Sequence, residues 1–281
     1  MIVFAAIVPH PIESIPGIGT PEEIKAIEKT LQSFEALRVD LEKSIPDTLI
    51  IISPHAPLEP YSFIINAASN LTGSFAKFGI DQVYEYENNL EFANKLAFAG
   101  CMNEIPAHLH KSFLDHGAMI PLYHLLKNIK PKIVHLSFSL MDYKSHYRYG
   151  EIIQGVICKG YGGRVAIIAS ADLSHRLTPS SPAGFSPTAA KFDRDVLHFL
   201  GANDQASILN LELRDTAAAA ECGIRSIIIL LGILHGLQYE FNLLSYEGPF
   251  GIGYLTARIL SSSGANLMED EMGDSGNNQS A

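Results

Sequence analysis

Short β-branched runs and helical periodicities alternate along the whole chain. Apolar runs that stop at turn residues predict strands over residues 2–8, 48–52, 133–140 and 165–170. Two later strands, over 240–246 and 252–260, flank the turn EGPFG. Between these runs lie helical patterns. The clearest starts at Thr20, where Thr-Pro-Glu-Glu supplies an N-cap, a proline at the first helical position and a glutamate placed for a capping box. That helix is expected to reach about residue 44, and others are expected over 90–98, 117–128, 149–158, 187–200 and 223–235. The alternation predicts an α/β fold. It is a single domain with a central, mostly parallel or mixed sheet and helices on both faces, the late strands being candidates for antiparallel pairing. The domain is expected to occupy residues 1–260. Residues 261–281 (SSSGANLMEDEMGDSGNNQSA) are polar, acidic and rich in Gly, Ser and Asn, and are expected to form a disordered tail.

Composition supports a buried core, since 47% of the 281 residues are hydrophobic and 18% are charged. The formal net charge of −10 argues against nucleic acid as a partner, because a phosphate-binding surface needs a basic stripe and here the Lys and Arg are scattered among more numerous carboxylates. The opening MIVFAAIVPHPIESIPG is apolar but lacks a basic leader region, and Pro9 and Pro11 interrupt it, so it reads as a strand. The longest later apolar run, residues 227–234, is far shorter than the roughly 18 apolar residues of a membrane span. No membrane helix is expected. Cys101, Cys158 and Cys222 are odd in number and widely spaced, which gives neither a disulfide framework nor zinc-ribbon spacing and fits a cytoplasmic location. Their thiols stay available as ligands.

The chemistry is concentrated in the histidines. His10, His55 and His175 each follow a predicted strand, and the C-terminal ends of strands are where open α/β sheets place ligands. Prolines bracket two of them, in Pro9-His10-Pro11 and Pro54-His55-Ala56-Pro57, which stiffens the loop and fixes the direction of the imidazole, as a metal ligand requires. An acid shortly precedes a histidine in Asp115-His116 and in Asp172-Leu173-Ser174-His175. A carboxylate bonded to one ring nitrogen fixes the tautomer and raises the basicity of the other, which suits proton transfer or ligation. Asp115 is equally a helix N-cap in this pattern, and Asp172 a turn former. Glu221-Cys222 offers a carboxylate and a thiol side by side before a helix. Either completes a metal site, and the alternative is an acidic first turn beside a small buried cysteine.

Taken in order, strand-Pro-His-Pro, strand-Ser-Pro-His-Ala-Pro, Asp-His-Gly, Ala-Asp-Leu-Ser-His and Glu-Cys-Gly-Ile-Arg resemble the LigB-type class III extradiol ring-cleavage dioxygenases, over essentially the whole chain up to about Leu260. The resemblance implies Fe(II) held by His10, His55 and Glu221, with His116 and His175 doing acid/base work beside it. The same superfamily includes the Memo-like and AmmeMemoRadiSam-associated proteins, in which a cysteine can replace the glutamate. Cys222 therefore stands as an alternative third ligand, and Glu247 in Tyr-Glu-Gly-Pro-Phe as another.

Two imidazoles and one carboxylate on one face of Fe(II) leave positions for a catechol-type aromatic substrate and O2. In the reading the resemblance implies, His175 is oriented by Asp172 and takes a phenolic proton, while His116 hydrogen-bonds a bound oxygen or hydroxyl. Two other classes fit the same residues. One is a Zn(II)-dependent hydrolase. The other is a Memo-like module that binds metal without catalysis. Self-association or a companion subunit is an expectation from the family alone.

Overall fold

Strands that are apolar at every position have two faces to bury, and this places them in the interior of a sheet covered on both sides. The computed structural model describes residues 1–260; the predicted tail lies outside them. The chain opens with β1 (Ile2–Val8), α1 (Pro21–Ala26), α2 (Glu28–Lys43), β2 (Thr48–Ser53), β3 (Phe63–Asn66), β4 (Asn70–Phe75) and β5 (Ile80–Glu87). It continues through α3 (Leu90–Met102), β6 (Ala107–His110), α4 (His116–Leu125), β7 (Lys132–Ser137), α5 (Tyr143–Val156) and β8 (Val165–Ser170). It closes with α6 (Ala189–Gly201), α7 (Gln205–Leu209), α8 (Leu213–Ala219), α9 (Ile224–Ile233), β9 (Asn242–Glu247) and β10 (Tyr254–Leu260).

Among the described residues, eight strands form one mixed sheet in the order β6-β3-β7-β2-β8-β1-β10-β9. The central four, β7-β2-β8-β1, are parallel and almost wholly buried, while β10 and β9 add to the β1 edge antiparallel. Alternate side chains of these strands enter separate cores. Ile50, Ile52 and Ile167 meet apolar residues of α3, α5, α6 and α9, and Phe4, Ile51 and Ile168 meet those of α2, α4 and the β4-β5 hairpin. Helix α5 crosses α9 at Gly150 and Gly232, where a Cβ on Gly232 would come within 2.1 Å of the Tyr147 carbonyl.

The expected helix over 20–44 is two helices. The capping box at Thr20 and Glu23 is present, but Ile27 (φ −109°, ψ 24°) is buried in the core and breaks the run between α1 and α2. The expected strand over 133–140 stops at Ser137, and the helix expected over 149–158 starts earlier, at Tyr143, where Asp142 caps it. Strands β3 to β6 were not expected. Three of the four central parallel strands, β2, β8 and β1, are neighbours, so the loops after them leave the sheet side by side.

Candidate metal centre

Adjacent parallel strands deliver their C-terminal loops to one edge, and the loops after β1, β2 and β8 carry His10, His55 and the segment from Asp172 to His175. The imidazoles of His10 and His55 converge with Nε2 to Nε2 3.1 Å apart. His116, the first residue of α4, stacks on His55 with ring centroids 4.2 Å apart and meets His10 edge-on at 5.7 Å. Around the same Nε2 of His10 stand Asp172 Oδ2 at 3.2 Å and Cys222 Sγ at 3.6 Å. Two donor triads result, His10-His55-His116 and His10-Asp172-Cys222, each with its ligand atoms within 4.8 Å of one another.

Both triads share one nitrogen, and hydrogen bonding shows why. Ser170 donates its hydroxyl proton to the Gly117 carbonyl at 2.6 Å, so at 2.9 Å from His10 Nδ1 it can only accept. His10 therefore carries its proton on Nδ1 and presents a lone pair from Nε2 alone. The two triads are then alternative parts of a single site. Nitrogen and thiolate donors on one tetrahedral ion, with bonds of roughly 2.0–2.1 and 2.3 Å, lie about 3.4 Å (N to N) and about 3.6 Å (N to S) apart. The separations here, 3.1 and 3.6 Å, suit such an ion.

The electrostatics favour neutral ligands. Burial, followed by the proximity of His116, lowers the His10 pKa to about 3. Desolvation, then His10, does the same for His55, although one side of that ring is open to solvent. Burial also lowers His116. Asp172 is 3% exposed, and burial lifts its carboxyl to about 6. Burial holds the Cys222 thiol well above its ordinary value.

Local structure supports each group. Asp115 caps α4 by accepting from Ala118 N–H, and it also accepts from the Ser53 hydroxyl at 2.5 Å and His135 Nε2 at 3.1 Å. Burial would raise its carboxyl, but these bonds outweigh it and keep the group below the usual carboxylate range. Gly117 admits this packing, because a Cβ there would stand 2.7 Å from Ser53 Oγ and 3.1 Å from His55 Cδ2. Ala220 ends α8 in the left-handed region (φ 54°), a strained conformation for a residue with a side chain. A Cβ on Gly223 would lie 2.4 Å from Ala171 Cβ, so the start of α9 presses on the loop after β8 and brings Cys222 to His10.

Of the residues expected from the sequence, His10, His55, His116 and Asp172 come together with Cys222. Glu221, which the resemblance assigns as third ligand, stands outside both triads. Its carboxylate accepts from Ile224 N–H at 2.7 Å at the start of α9, and burial raises its pKa to about 7. Glu247 is also apart, accepting from the Thr30 N–H and hydroxyl at 2.8 and 2.7 Å. His175 lies close enough for its charge to act on His10, His55 and Asp172. It is not oriented by Asp172 as expected. Its Nδ1 donates to the Leu173 carbonyl at 3.1 Å, while Asp172 Oδ1 accepts the His10 backbone N–H at 3.0 Å. Buried Asp193 holds the His175 loop by accepting Ser174 N–H at 2.9 Å and the Tyr246 hydroxyl at 2.6 Å.

Sequence reasoning missed Ser53, His135, Ser170, Asp193 and Tyr254. The Tyr254 phenol is raised by burial and by the nearby Asp172, Glu13 and Cys222, and stays protonated. Only Ser53 and Ser170 carried a signal, as the last residues of strands that lead into ligand loops.

Known proteins resemble this chain over half or more of its length. The model of the catalytic LigB subunit of aromatic ring-opening dioxygenase matches residues 4–257. Protein CA_C1420 of Clostridium acetobutylicum is 34% identical over 260 residues, covering 88% of this chain and 55% of its own length. The 3,4-dihydroxyphenylacetate 2,3-dioxygenase of Escherichia coli is 28% identical over 162 residues, 53% of this chain and 58% of its own. This chain thus spans about half the length of the curated relatives it matches. A crystal structure of the uncharacterized protein JW3007 from Escherichia coli K12 superposes with a TM-score of 0.66 at 16% identity, over 92% of this chain and 99% of that one, which is a likeness of fold. With the family model spanning nearly all of the described residues, the chain belongs to the LigB family of aromatic ring-opening dioxygenase catalytic subunits.

Proposed function

We propose that this protein holds one Fe(II) between His10, His55 and a third donor from Asp172 or Cys222, and opens a catechol-type aromatic ring with O2. The observation that carries this is the pair of neutral imidazoles facing each other through Nε2 at 3.1 Å, with an acid and a thiol at the same nitrogen. A metal bound there would supply open positions at which substrate and dioxygen meet, together with a path for electrons between them.

The chain's own residues would handle protons and orientation. With Nδ1 donating to the Leu173 carbonyl, His175 keeps Nε2 free, suited to accept a phenolic proton and return it later. His116 is held against His55 by stacking and would offer a hydrogen bond beside the donors. Asp172, at about 6, sits where its protonation state changes near neutral pH.

The test is anaerobic loading with Fe(II), followed by oxygen and a panel of catechols, with an oxygen electrode and absorbance of the yellow ring-fission product as readouts. Oxygen consumption matched to product supports the proposal, and loaded protein that consumes none refutes it. His175→Ala should retain iron yet turn over about 10²–10⁴-fold more slowly.

The position of Cys222 favours a second reading. A thiolate with two imidazoles is a donor set that selects Zn(II), which would give a non-oxidative site. Metal analysis of protein purified without oxygen separates the two.

A further inference from the structure

Buried N–H groups in a loop need acceptors, and where the main chain supplies none a side chain decides the course of the backbone. Of the three N–H groups of Leu173, Ser174 and His175, two donate to main-chain carbonyls, of Gly253 at 2.8 Å and of Ala219 at 2.9 Å. Ser174 N–H alone turns to a side chain, donating to Asp193 Oδ1 at 2.9 Å. Asp193 belongs to α6 and is fully buried. Its Oδ2 accepts the hydroxyl of Tyr246, from β9, at 2.6 Å. Gly253 makes room for this contact, since a Cβ there would stand 2.2 Å from Oδ2. Among the described residues no cation pairs with Asp193, and burial lifts its carboxyl to about 6 although the Tyr246 and Ser174 bonds pull it down. An enclosed acid without a counter-charge is costly, and acids kept at such a cost gather at functional sites.

We propose that Asp193, itself braced by Tyr246, is a positioning residue that sets the direction of the His175 imidazole. The link is a single peptide unit. The Leu173 carbonyl, which accepts His175 Nδ1–H at 3.1 Å, and the Ser174 N–H, which Asp193 accepts, are the two ends of one rigid plane. Fixing one end aims the other, so Asp193 governs the bond that keeps the His175 proton on Nδ1 and leaves Nε2 free. Without Asp193 that plane could turn, while the bonds of Leu173 to Gly253 and of His175 to Ala219 would keep the segment in place. Asp193 bonds to none of His10, His55, Asp172 and Cys222, so the donor cluster would stay assembled. The proposal rests on the ring-cleavage reading for what His175 does with a proton, and on geometry alone for how His175 is held.

The experiment reads the two apart. Nitrogen NMR of full-length, metal-free protein carrying isotope-labelled histidine reports the His175 tautomer, with His175→Gln assigning its signals, and Fe(II)-loaded protein is assayed on the catechols that the unsubstituted protein opens. The unsubstituted protein should show His175 protonated at Nδ1 alone. Asp193→Ala should give a mixture of tautomers and lower kcat by roughly 10²-fold, the scale of a misplaced reacting group, with KM and Fe(II) affinity unchanged. Asp193→Asn, whose Oδ1 still accepts from Ser174 N–H, should recover most of both. Circular dichroism confirms folding, and if Asp193→Ala does not fold, Tyr246→Phe releases Asp193 from the other side and should move both readouts the same way, kcat by about three- to tenfold. A tautomer and a kcat left as they were in folded Asp193→Ala, or in Tyr246→Phe where it stands in, overturn the proposal. A fall in Fe(II) affinity as large as the fall in kcat also overturns it, because Asp193 would then act on the donors. If the unsubstituted protein opens no catechol, the ring-cleavage reading falls, and the tautomer by itself decides the role of Asp193.

Discussion

His10 Nδ1 donates to Ser170 Oγ at 2.9 Å across 160 residues of chain, and this bond decides which nitrogen of His10 faces the other donors. The serine is fully buried and passes its own proton to the Gly117 carbonyl, so it cannot reverse its role. Ser170→Ala removes the acceptor and leaves the Nδ1 proton unmet, which frees the ring to turn or to change tautomer. Metal affinity should then fall by about 10–100-fold, the usual effect of losing a bond that orients a ligand. Competition with a chromophoric chelator measures it. Unchanged affinity would show that neighbouring rings alone hold His10.

Gly117 tests the packing beneath His55. In an ordinary helix, Gly to Ala gains about 1 kcal/mol. Here the added methyl would sit 2.7 Å from Ser53 Oγ and 3.1 Å from His55 Cδ2, and overpacking of this kind costs about 1–3 kcal/mol. Gly117→Ala should therefore lower the thermal midpoint and weaken metal binding together. A raised midpoint would mean that the loop around His55 yields easily.

The strands that hold the site were legible because their signals are local. β1 and β8 have the predicted bounds, since each is a continuous apolar run ended by a turn. That β2, β8 and β1 lie side by side is a matter of non-local pairing, which no run of residues encodes by itself. β3 and β6 have four residues each, too short for a period to register, and β5 (IDQVYEYE) places polar residues toward solvent. His135 sits inside a strand without any turn to mark it, although its Nε2 bonds Asp115. That Cys222 stands beside His10 while Glu221 caps α9 goes with a positive φ at Ala220, which has no glycine to announce it.

The identity of the third donor has a calorimetric signature. The Cys222 thiol is pushed up by burial and is protonated at pH 7, whereas Asp172, at about 6, is mostly ionised there. Ligation through Cys222 should release about one proton per metal ion at pH 7, and ligation through Asp172 close to none. Titrating metal in two buffers of different ionisation enthalpy counts these protons. With Cys222 as donor, Cys222→Ser abolishes the release and Asp172→Asn preserves it; the reverse pattern assigns the carboxylate.

Acid should destabilise the metal-free protein well before its carboxylates are fully titrated. Burial holds His10 and His55 at about 3 and, in the last turn of α4 and the first turn of α5, His124 and His146 at about 4, against 6.5 for each when unfolded. As pH falls from 7 to 5, the unfolded chain takes up protons at all four while the folded chain does not, so each contribution to stability is lost. Buried acids act in the opposite sense. Asp172 and Asp193 at about 6 and Glu221 at about 7 bind protons in the folded state over the same range. At pH 6 the four histidines account for about three protons taken up by the unfolded chain, and the three acids for about two taken up by the folded one, so the histidines prevail. The urea midpoint of metal-free protein should therefore decline between pH 7 and pH 5. A midpoint that rises over this interval would show that the histidines of the donor cluster are already protonated in the folded state, and with that the neutral imidazole pair would be lost.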